Sequence, residues 1–204
     1  MLSKSLELEN VKEEIVSAKL PLHESATNLV FGKGNPEARI MFIGEAAGRN
    51  EDLQGMPFVG VAGKNLDKLL EQVRLTINDI YVANILKYRP PENRNPNEEE
   101  ISAHAPYLLK QIRIIKPRVI CTLGNYSTKY FLAECNVAGM KNQPGITQVH
   151  GKEKIIELPG MEGIKIKLIP LFHPAAIIYN RKLTELWEED MEVVKKVIEQ
   201  KELM

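Results

Sequence analysis

Short apolar runs alternate with stretches of helical periodicity along the chain, and this alternation restricts the fold more than any other feature. The apolar runs predict strands at 38–44, 80–83, 118–123, 154–158 and 165–171. Apolar residues at three- and four-residue spacing predict helices at 3–18, 62–73, 95–115, 126–133 and 184–201. Strands that alternate with helices favour an α/β fold, here a three-layer α/β/α domain with a mainly parallel central sheet. We expect residues 1–204 to form one such domain.

The composition argues against several classes of protein. No apolar run approaches the ~18 residues of a membrane span, and the polar N-terminus is not a secretory signal. Cys121 and Cys135 are too few and too distant for a disulfide framework or a four-thiolate metal site. The formal net charge of zero argues against binding nucleic acid by bulk charge alone. We expect a cytoplasmic monomer that does not bind membranes.

The predicted sheet also indicates where a ligand binds. In open α/β sheets the ligand lies at the carboxyl ends of the parallel strands. The loops at that edge are 44–60, 84–97, 124–127 and 173–181. We expect the first of these to be a long polar loop, and Pro106 to kink or break the helix that contains it.

Three side chains in these loops suit the binding of a base. Phe58 lies between a proline and a glycine, where an aromatic ring can stack on a base or plug the loop from below. Asn84 directly follows a strand, and its amide offers one donor and one acceptor, although asparagine is also a common turn residue. His173 precedes a proline at a strand end, where it can donate to a carbonyl oxygen or serve as a buried structural histidine.

The segment after His173 carries an apolar step. Ile177 and Ile178 are flanked by polar residues, as in side chains that wedge into a base stack, although the same pattern occurs at a helix entry. Basic residues lie in or near the loops at this edge and suggest a rim that contacts phosphates. They are Lys33, Lys87, Arg89, Arg94, Lys152, Arg181 and Lys182.

Taken together and in this order, these motifs resemble the uracil-DNA glycosylase superfamily. The resemblance is closest to the thermostable bacterial and archaeal group called family 4, and it covers roughly residues 14–195. It rests on Glu45, Phe58, Asn84 and His173, and on the segments 57–63 and 84–91. It implies an enzyme of base excision repair that flips uracil out of DNA and hydrolyses its N-glycosidic bond, leaving an abasic site.

The resemblance also implies a role for each residue. Glu45 matches the carboxylate that positions the attacking water, and His173 matches the histidine that contacts uracil O2 and stabilises the leaving anion. Phe58 matches the stacking ring, and Asn84 matches the amide that reads the uracil edge. Gly44, Ala46 and Gly48 belong to the base-binding motif, and Gly48 stands where other branches carry a tyrosine that excludes the thymine methyl group. The DNA-contacting positions are Ile177, Ile178, Arg181, Lys182 and Arg89.

The chain departs from family 4 where that group carries four cysteine ligands of an iron–sulfur cluster. The corresponding residues are Ser17, Leu20, Tyr88 and His104. Serine and leucine do not replace thiolate ligands, so we expect no cluster, no metal and no other cofactor. Leu20 and Tyr88 are expected to fill the vacated volume.

Two alternatives to a uracil-DNA glycosylase remain open. The altered segment 47–49 leaves room for a glycosylase that prefers another deaminated base, such as hypoxanthine or xanthine. A binding protein that recognises DNA damage with weak catalysis is the other alternative. The joint presence of Glu45, Asn84 and His173 argues against it.

Overall fold

The computed structural model describes residues 2–176, 180 and 182–199. Their strands form one six-stranded sheet with the order β1-β3-β2-β4-β6-β5. The strands are β1 (Lys33–Gly34), β2 (Ile40–Gly44), β3 (Ile80–Asn84), β4 (Val119–Leu123), β5 (Lys154–Ile156) and β6 (Ile166–Leu171). The four central strands are mutually parallel, and the two edge strands are antiparallel to their neighbours. The prediction of a mainly parallel sheet is confirmed.

Helices cover both faces of this sheet. They are α1 (Lys4–Ala18), α2 (Arg49–Gln54), α3 (Val61–Gln72), α4 (Glu98–Ile115), α5 (Asn125–Leu132), α6 (Ile146–Val149) and α7 (Lys182–Glu199). Alternate residues of β2 point to opposite sides: Met41 and Ile43 pack with α1 and α4, whereas Ile40 and Phe42 pack with α3 and α7. The central strands are therefore buried on both faces, which explains their continuous apolar sequence. The three-layer α/β/α architecture is confirmed.

One local prediction was wrong, and of the two outcomes expected at Pro106 the break does not occur. The expected polar loop after β2 contains α2, which begins after Gly48 and has Glu51 and Asp52 in its first turn. The helix around Pro106 is not broken, since α4 runs through it from Glu98 to Ile115. Pro106 and Ser102, four residues earlier, are both exposed, so water can reach the carbonyl that proline leaves without an intrahelical donor.

The fold brings four strand ends to one edge. Parallel pairing aligns Gly44 with Asn84, and Leu123 with Leu171. The loops that follow these strands therefore meet on the same side of the sheet. Among the described residues, no helix is long and apolar enough to cross a membrane.

Candidate active site

A cavity of about 550 Å³ opens at this edge of the sheet. Its walls include Glu45, Phe58, Asn84 and His173, which come from three of the four predicted loops. The loops after β2, β3 and β6 thus bring together the four residues that the sequence singled out. The fourth loop, after β4, contacts the site indirectly, because Gly124 packs against His173.

Asn84 is the last residue of β3 and is only 2% exposed. Its side-chain Oδ1 is buried and has no hydrogen-bond partner within the part of the chain that the structure describes. Buried polar atoms are nearly always hydrogen-bonded, and leaving one unsatisfied costs about 1–3 kcal/mol. An unsatisfied acceptor on a cavity wall is therefore suited to receive a donor from a ligand.

His173 presents a hydrogen-bond donor to the same cavity. The backbone N–H of Ala175 donates to His173 Nδ1 at 3.2 Å, which places the ring proton of the neutral imidazole on Nε2. Burial lowers the pKa of His173 to about 4, so the ring is neutral at pH 7. The following backbone is fixed by Asn65 of α3, whose Nδ2 donates to the carbonyl of Pro174 at 3.1 Å.

Glu45 lies at the end of β2, where burial raises the pKa of its carboxyl group to about 7. The phenol of Tyr126 at the start of α5 is near enough for the Glu45 charge to contribute to a raised tyrosine pKa, after the larger effect of burial. A carboxylate whose pKa is close to neutrality can exchange a proton at physiological pH. Glu45 is thus suited to orient or activate a water molecule.

Phe58 has a left-handed backbone conformation, with φ of 52°, and its ring is 6.0 Å from that of His173, centroid to centroid. Three hydrogen bonds hold this conformation. Glu51 Oε1 accepts from the N–H groups of Val59 at 3.0 Å and Gly60 at 2.7 Å, and Lys33 Nζ donates to the Phe58 carbonyl at 2.9 Å. The ring both packs into the core and lines the cavity.

The small residues of the base-binding motif, Gly44, Ala46 and Gly48, also lie at or beneath the cavity. Ala46 and Gly48 line the cavity. Gly44 lies beneath it, where a Cβ atom would approach Asn84 Oδ1 and come within 2.9 Å of Phe58 Cζ. A Cβ at Gly48 would lie 2.8 Å from Glu51 Oε2, so a larger side chain there requires this carboxylate to move.

The predicted DNA-contacting residues have mixed outcomes. Ile177, Ile178 and Arg181 lie outside the described residues. Lys182 is exposed at the start of α7, and half-buried Arg89 donates from Nε to Asn93 Oδ1 at 2.7 Å.

The basic rim needs two corrections. Lys87 is fully buried, and Lys33 is half-buried with its ammonium on the Phe58 carbonyl. Lys87 has no exposed surface with which to contact a phosphate, and the Lys33 ammonium is directed to a backbone carbonyl of the Phe58 loop instead.

The four residues at the family's cluster positions do not form a set of metal ligands. Ser17 is exposed and donates to the Glu13 carbonyl, and Leu20 is a buried apolar side chain. Tyr88 is buried against His104, with ring centroids 6.1 Å apart. A hydroxyl, an alkyl group and a phenol lack the thiolates that bind iron–sulfur clusters.

Both ring nitrogens of His104 are already engaged. Nδ1 accepts from the Lys87 N–H at 3.0 Å, and Nε2 lies 2.9 Å from the Pro21 carbonyl, to which it donates. We call this arrangement the His104 bridge. It joins α4, the turn after α1 and the segment after β3 through hydrogen bonds alone.

Three residues near the site were missed at the level of sequence. Glu51 holds the Phe58 loop, buried Asp52 accepts from the N–H groups of Thr27 and Asn28, and Tyr126 adjoins Glu45. The adjacent acidic pair after Gly48 is itself a signal, since acidic residues favour the first turn of a helix. Nothing in the sequence around Tyr126 marks it.

The chain belongs to the uracil-DNA glycosylase superfamily. The family model described as the Uracil DNA glycosylase superfamily matches residues 31–195, which include all four residues of the cavity wall named above.

Characterised relatives are also similar over nearly the whole chain. The type-4 uracil-DNA glycosylase of Sulfurisphaera tokodaii is 43% identical over 93% of this chain and 84% of that protein. The type-4 enzyme of Archaeoglobus fulgidus is 40% identical, over 92% and 91% respectively. That of Thermotoga maritima is 40% identical, over 91% and 94%.

Proposed function

We propose that this chain is a DNA repair glycosylase that binds a flipped-out uracil and hydrolyses its N-glycosidic bond, leaving an abasic site in the DNA. Membership of the superfamily and similarity to type-4 uracil-DNA glycosylases support this function. The structural observation that carries it is the unsatisfied Oδ1 of Asn84 on the wall of a cavity large enough for a base.

Asn84 reads the base in this proposal. Uracil presents an N3–H donor beside the O4 acceptor, so an asparagine amide matches both: Oδ1 accepts from N3–H and Nδ2 donates to O4. Cytosine carries an acceptor at N3 and a donor at position 4, which leaves the same amide mismatched. The ring of Phe58, which lines the cavity beside His173, supplies the aromatic face on which the base stacks.

His173 stabilises the leaving group. As the bond between C1′ and N1 breaks, its electron pair moves to the uracil ring and negative charge develops on O2. The Nε2–H of the neutral His173 donates to that oxygen, and because the ring is fixed by Ala175 and Pro174 it needs no rearrangement. Preorganised donors of this kind are worth about 3 kcal/mol in the transition state.

Glu45 acts on the sugar side. Its carboxylate stabilises the developing positive charge at C1′ and orients a water molecule, whose oxygen bonds to C1′. The water then loses one proton to Glu45, and the uracil anion is released and protonated. The raised pKa of Glu45 favours this transfer.

We also propose that the enzyme contains no iron–sulfur cluster and needs no metal or other cofactor. The donor chemistry at Ser17, Leu20, Tyr88 and His104 supports the first part, and no step above requires a metal. The absorbance of purified protein near 400 nm tests it: a colourless, active protein is expected, and a brown protein with stoichiometric iron would contradict the proposal.

The chain is further proposed to work as one domain and as a monomer in the cytoplasm, with Ile177 and Ile178 filling the gap in the base stack and Arg181 contacting the DNA. Lys182 and Arg89 contact the flanking phosphates in this arrangement. Light scattering with and without DNA tests the monomer, and loss of duplex binding in Ile177→Ala and Ile178→Ala tests the wedge.

Base release from labelled oligonucleotides tests the function itself. The substrates carry uracil opposite guanine, uracil opposite adenine, uracil in a single strand, hypoxanthine or xanthine. Abasic product from the uracil substrates is expected. Release from the purine lesions alone would replace the proposed substrate, and binding without release of any base would replace catalysis with damage recognition.

A further inference from the structure

Lys87 is a charged residue with no exposed surface, three residues after Asn84. Lysine is almost never fully buried, because removing an ammonium group from water is costly. Burial lowers the pKa of Lys87 to about 7. An apolar side chain of similar volume would avoid this cost, so the presence of lysine calls for a reason beyond packing.

The contacts of the ammonium group give that reason. Lys87 Nζ donates to the Asn84 carbonyl at 2.8 Å, to Gln111 Oε1 at 2.5 Å and to the Phe31 carbonyl at 3.4 Å. Gln111 Nε2 also donates to the Phe31 carbonyl, at 3.1 Å. The ammonium therefore ties the end of β3 to α4 and to the segment before β1, and these three acceptors are all uncharged oxygens.

The turn that Lys87 closes is connected to both sides of the cavity. Ile85 N–H donates to the Gly44 carbonyl and Leu86 N–H donates to the Glu45 carbonyl, at 3.1 and 3.0 Å. The Lys87 N–H is held in turn by His104 Nδ1. Backbone hydrogen bonds thus hold the Glu45 side of the turn, and the Lys87 ammonium holds its Asn84 end.

We propose that Lys87 is a positioning residue for the reaction: its ammonium fixes the carbonyl of Asn84 and thereby aims the Asn84 amide at the base. This inference rests on the proposed function. Lysine suits the task because its three N–H donors diverge from one atom toward three acceptors on separate segments. A glutamine at this position has two donors on a shorter side chain and cannot serve all three.

A double-mutant cycle separates positioning from a structural role. Single-turnover uracil release is measured at saturating enzyme for wild type, Lys87→Met, Asn84→Ala and the double variant. Lys87→Met is expected to slow release about tenfold to a hundredfold, as expected for loss of one hydrogen bond to a charged group. It is expected to have little further effect when Asn84 is already alanine. Equal effects of Lys87→Met in both backgrounds would overturn the proposal.

The matched control is Lys110→Met on the same helix as Gln111. Lys110 pairs with Glu14 at the surface, away from the cavity, so release at the wild-type rate is expected. Thermal unfolding shows whether each variant is folded. If Lys87→Met does not fold, Gln111→Leu takes its place in the same cycle, because it removes one acceptor of the ammonium. Equal effects of Gln111→Leu in the wild-type and Asn84→Ala backgrounds would then overturn the proposal.

The failure of this inference is distinguishable from failure of the proposed function. If wild type releases no uracil, the function is wrong. If wild type is active and the cycle is additive, only the role of Lys87 is wrong.

Discussion

Buried polar groups differ in their hydrogen bonding between the cavity at the sheet edge and the region around Lys87 and His104. Within the described part of the chain, Asn84 Oδ1 is buried in the cavity without a partner, and the hydrogen bond of the His173 ring is made by Nδ1. Lys87, three residues after Asn84, and His104 on α4 are fully buried, and their nitrogen atoms are engaged with protein acceptors and donors. Unsatisfied groups thus mark where a ligand is expected, whereas satisfied ones mark where the protein holds itself together.

The largest effect on the rate of uracil release is expected from removing the side chains of Asn84 and His173. Asn84→Ala and His173→Ala should each slow uracil release by about a hundredfold to a thousandfold, because each removes a preorganised contact to the base. The stability of Asn84→Ala should change little, since Asn84 Oδ1 makes no internal hydrogen bond in the described part of the chain, whereas His173→Ala also removes the acceptor of the Ala175 N–H. Single-turnover assays and thermal unfolding measure the two quantities.

Matched controls for these variants are Asn142→Ala, at an exposed asparagine, and His23→Ala, at a partly exposed histidine outside the cavity. Both should release uracil at close to the wild-type rate. Wild-type release by Asn84→Ala or His173→Ala would show that the cavity has been assigned wrongly.

At the His104 bridge, a large effect is expected on the stability of the protein. His104→Phe leaves the Lys87 N–H and the Pro21 carbonyl without partners, so the free energy of unfolding should fall by on the order of 3 kcal/mol. Chemical denaturation measures this loss. A variant as stable as wild type would remove the distinction between the two regions.

The same residue predicts how stability depends on pH. Burial lowers the pKa of His104 from 6.5 to about 4, so between these values the unfolded chain binds the proton more readily. Stability is therefore fully present above about pH 6.5 and is lost as the pH falls toward 4, by on the order of 3 kcal/mol for this one group. His104→Phe should reduce the slope, and denaturation curves at several pH values test this.

A smaller effect on the rate of uracil release, about tenfold per pH unit, is expected from protonation of Glu45. Because its pKa is raised to about 7, the reactive carboxylate is lost as the pH falls below that value. The rate of uracil release should decline in step, and Glu45→Gln should be slow and lack this acid limb. His173 stays neutral until about pH 4 and does not contribute to the limb. The same limb in Glu45→Gln would assign it to another group.

The smallest effect is expected at the protein surface. Lys110 and Glu14 form an ion pair at the surface, in which the side chains are 42% and 49% exposed. Lys110→Met should change the free energy of unfolding by less than about 1 kcal/mol. A loss as large as that of His104→Phe would mean that buried and exposed polar contacts contribute alike in this protein.

Much of the fold follows from sequence because the parallel strands are buried on both faces. Their apolar runs are continuous, and the residues just after them, such as Asn84 and His173, must reach the edge where ligands bind. The buried state of Lys87 does not follow, since a lysine in a loop rich in arginine and asparagine suggests a surface residue. Its acceptors Phe31 and Gln111 are 56 and 24 positions away in sequence, beyond the reach of any local pattern.

The left-handed backbone of Phe58 affects how tightly the protein binds a base. A non-glycine residue in this region carries a conformational strain of about 1–2 kcal/mol. Glu51 and Lys33 hold the strained form in the free protein, so this cost belongs to folding and is not deducted from affinity when the ligand arrives. Releasing the loop, as in Glu51→Ala, which removes the acceptor of the Val59 and Gly60 N–H groups, would transfer that conformational search to the binding step, where it would appear as a slower and weaker capture of the extrahelical nucleotide.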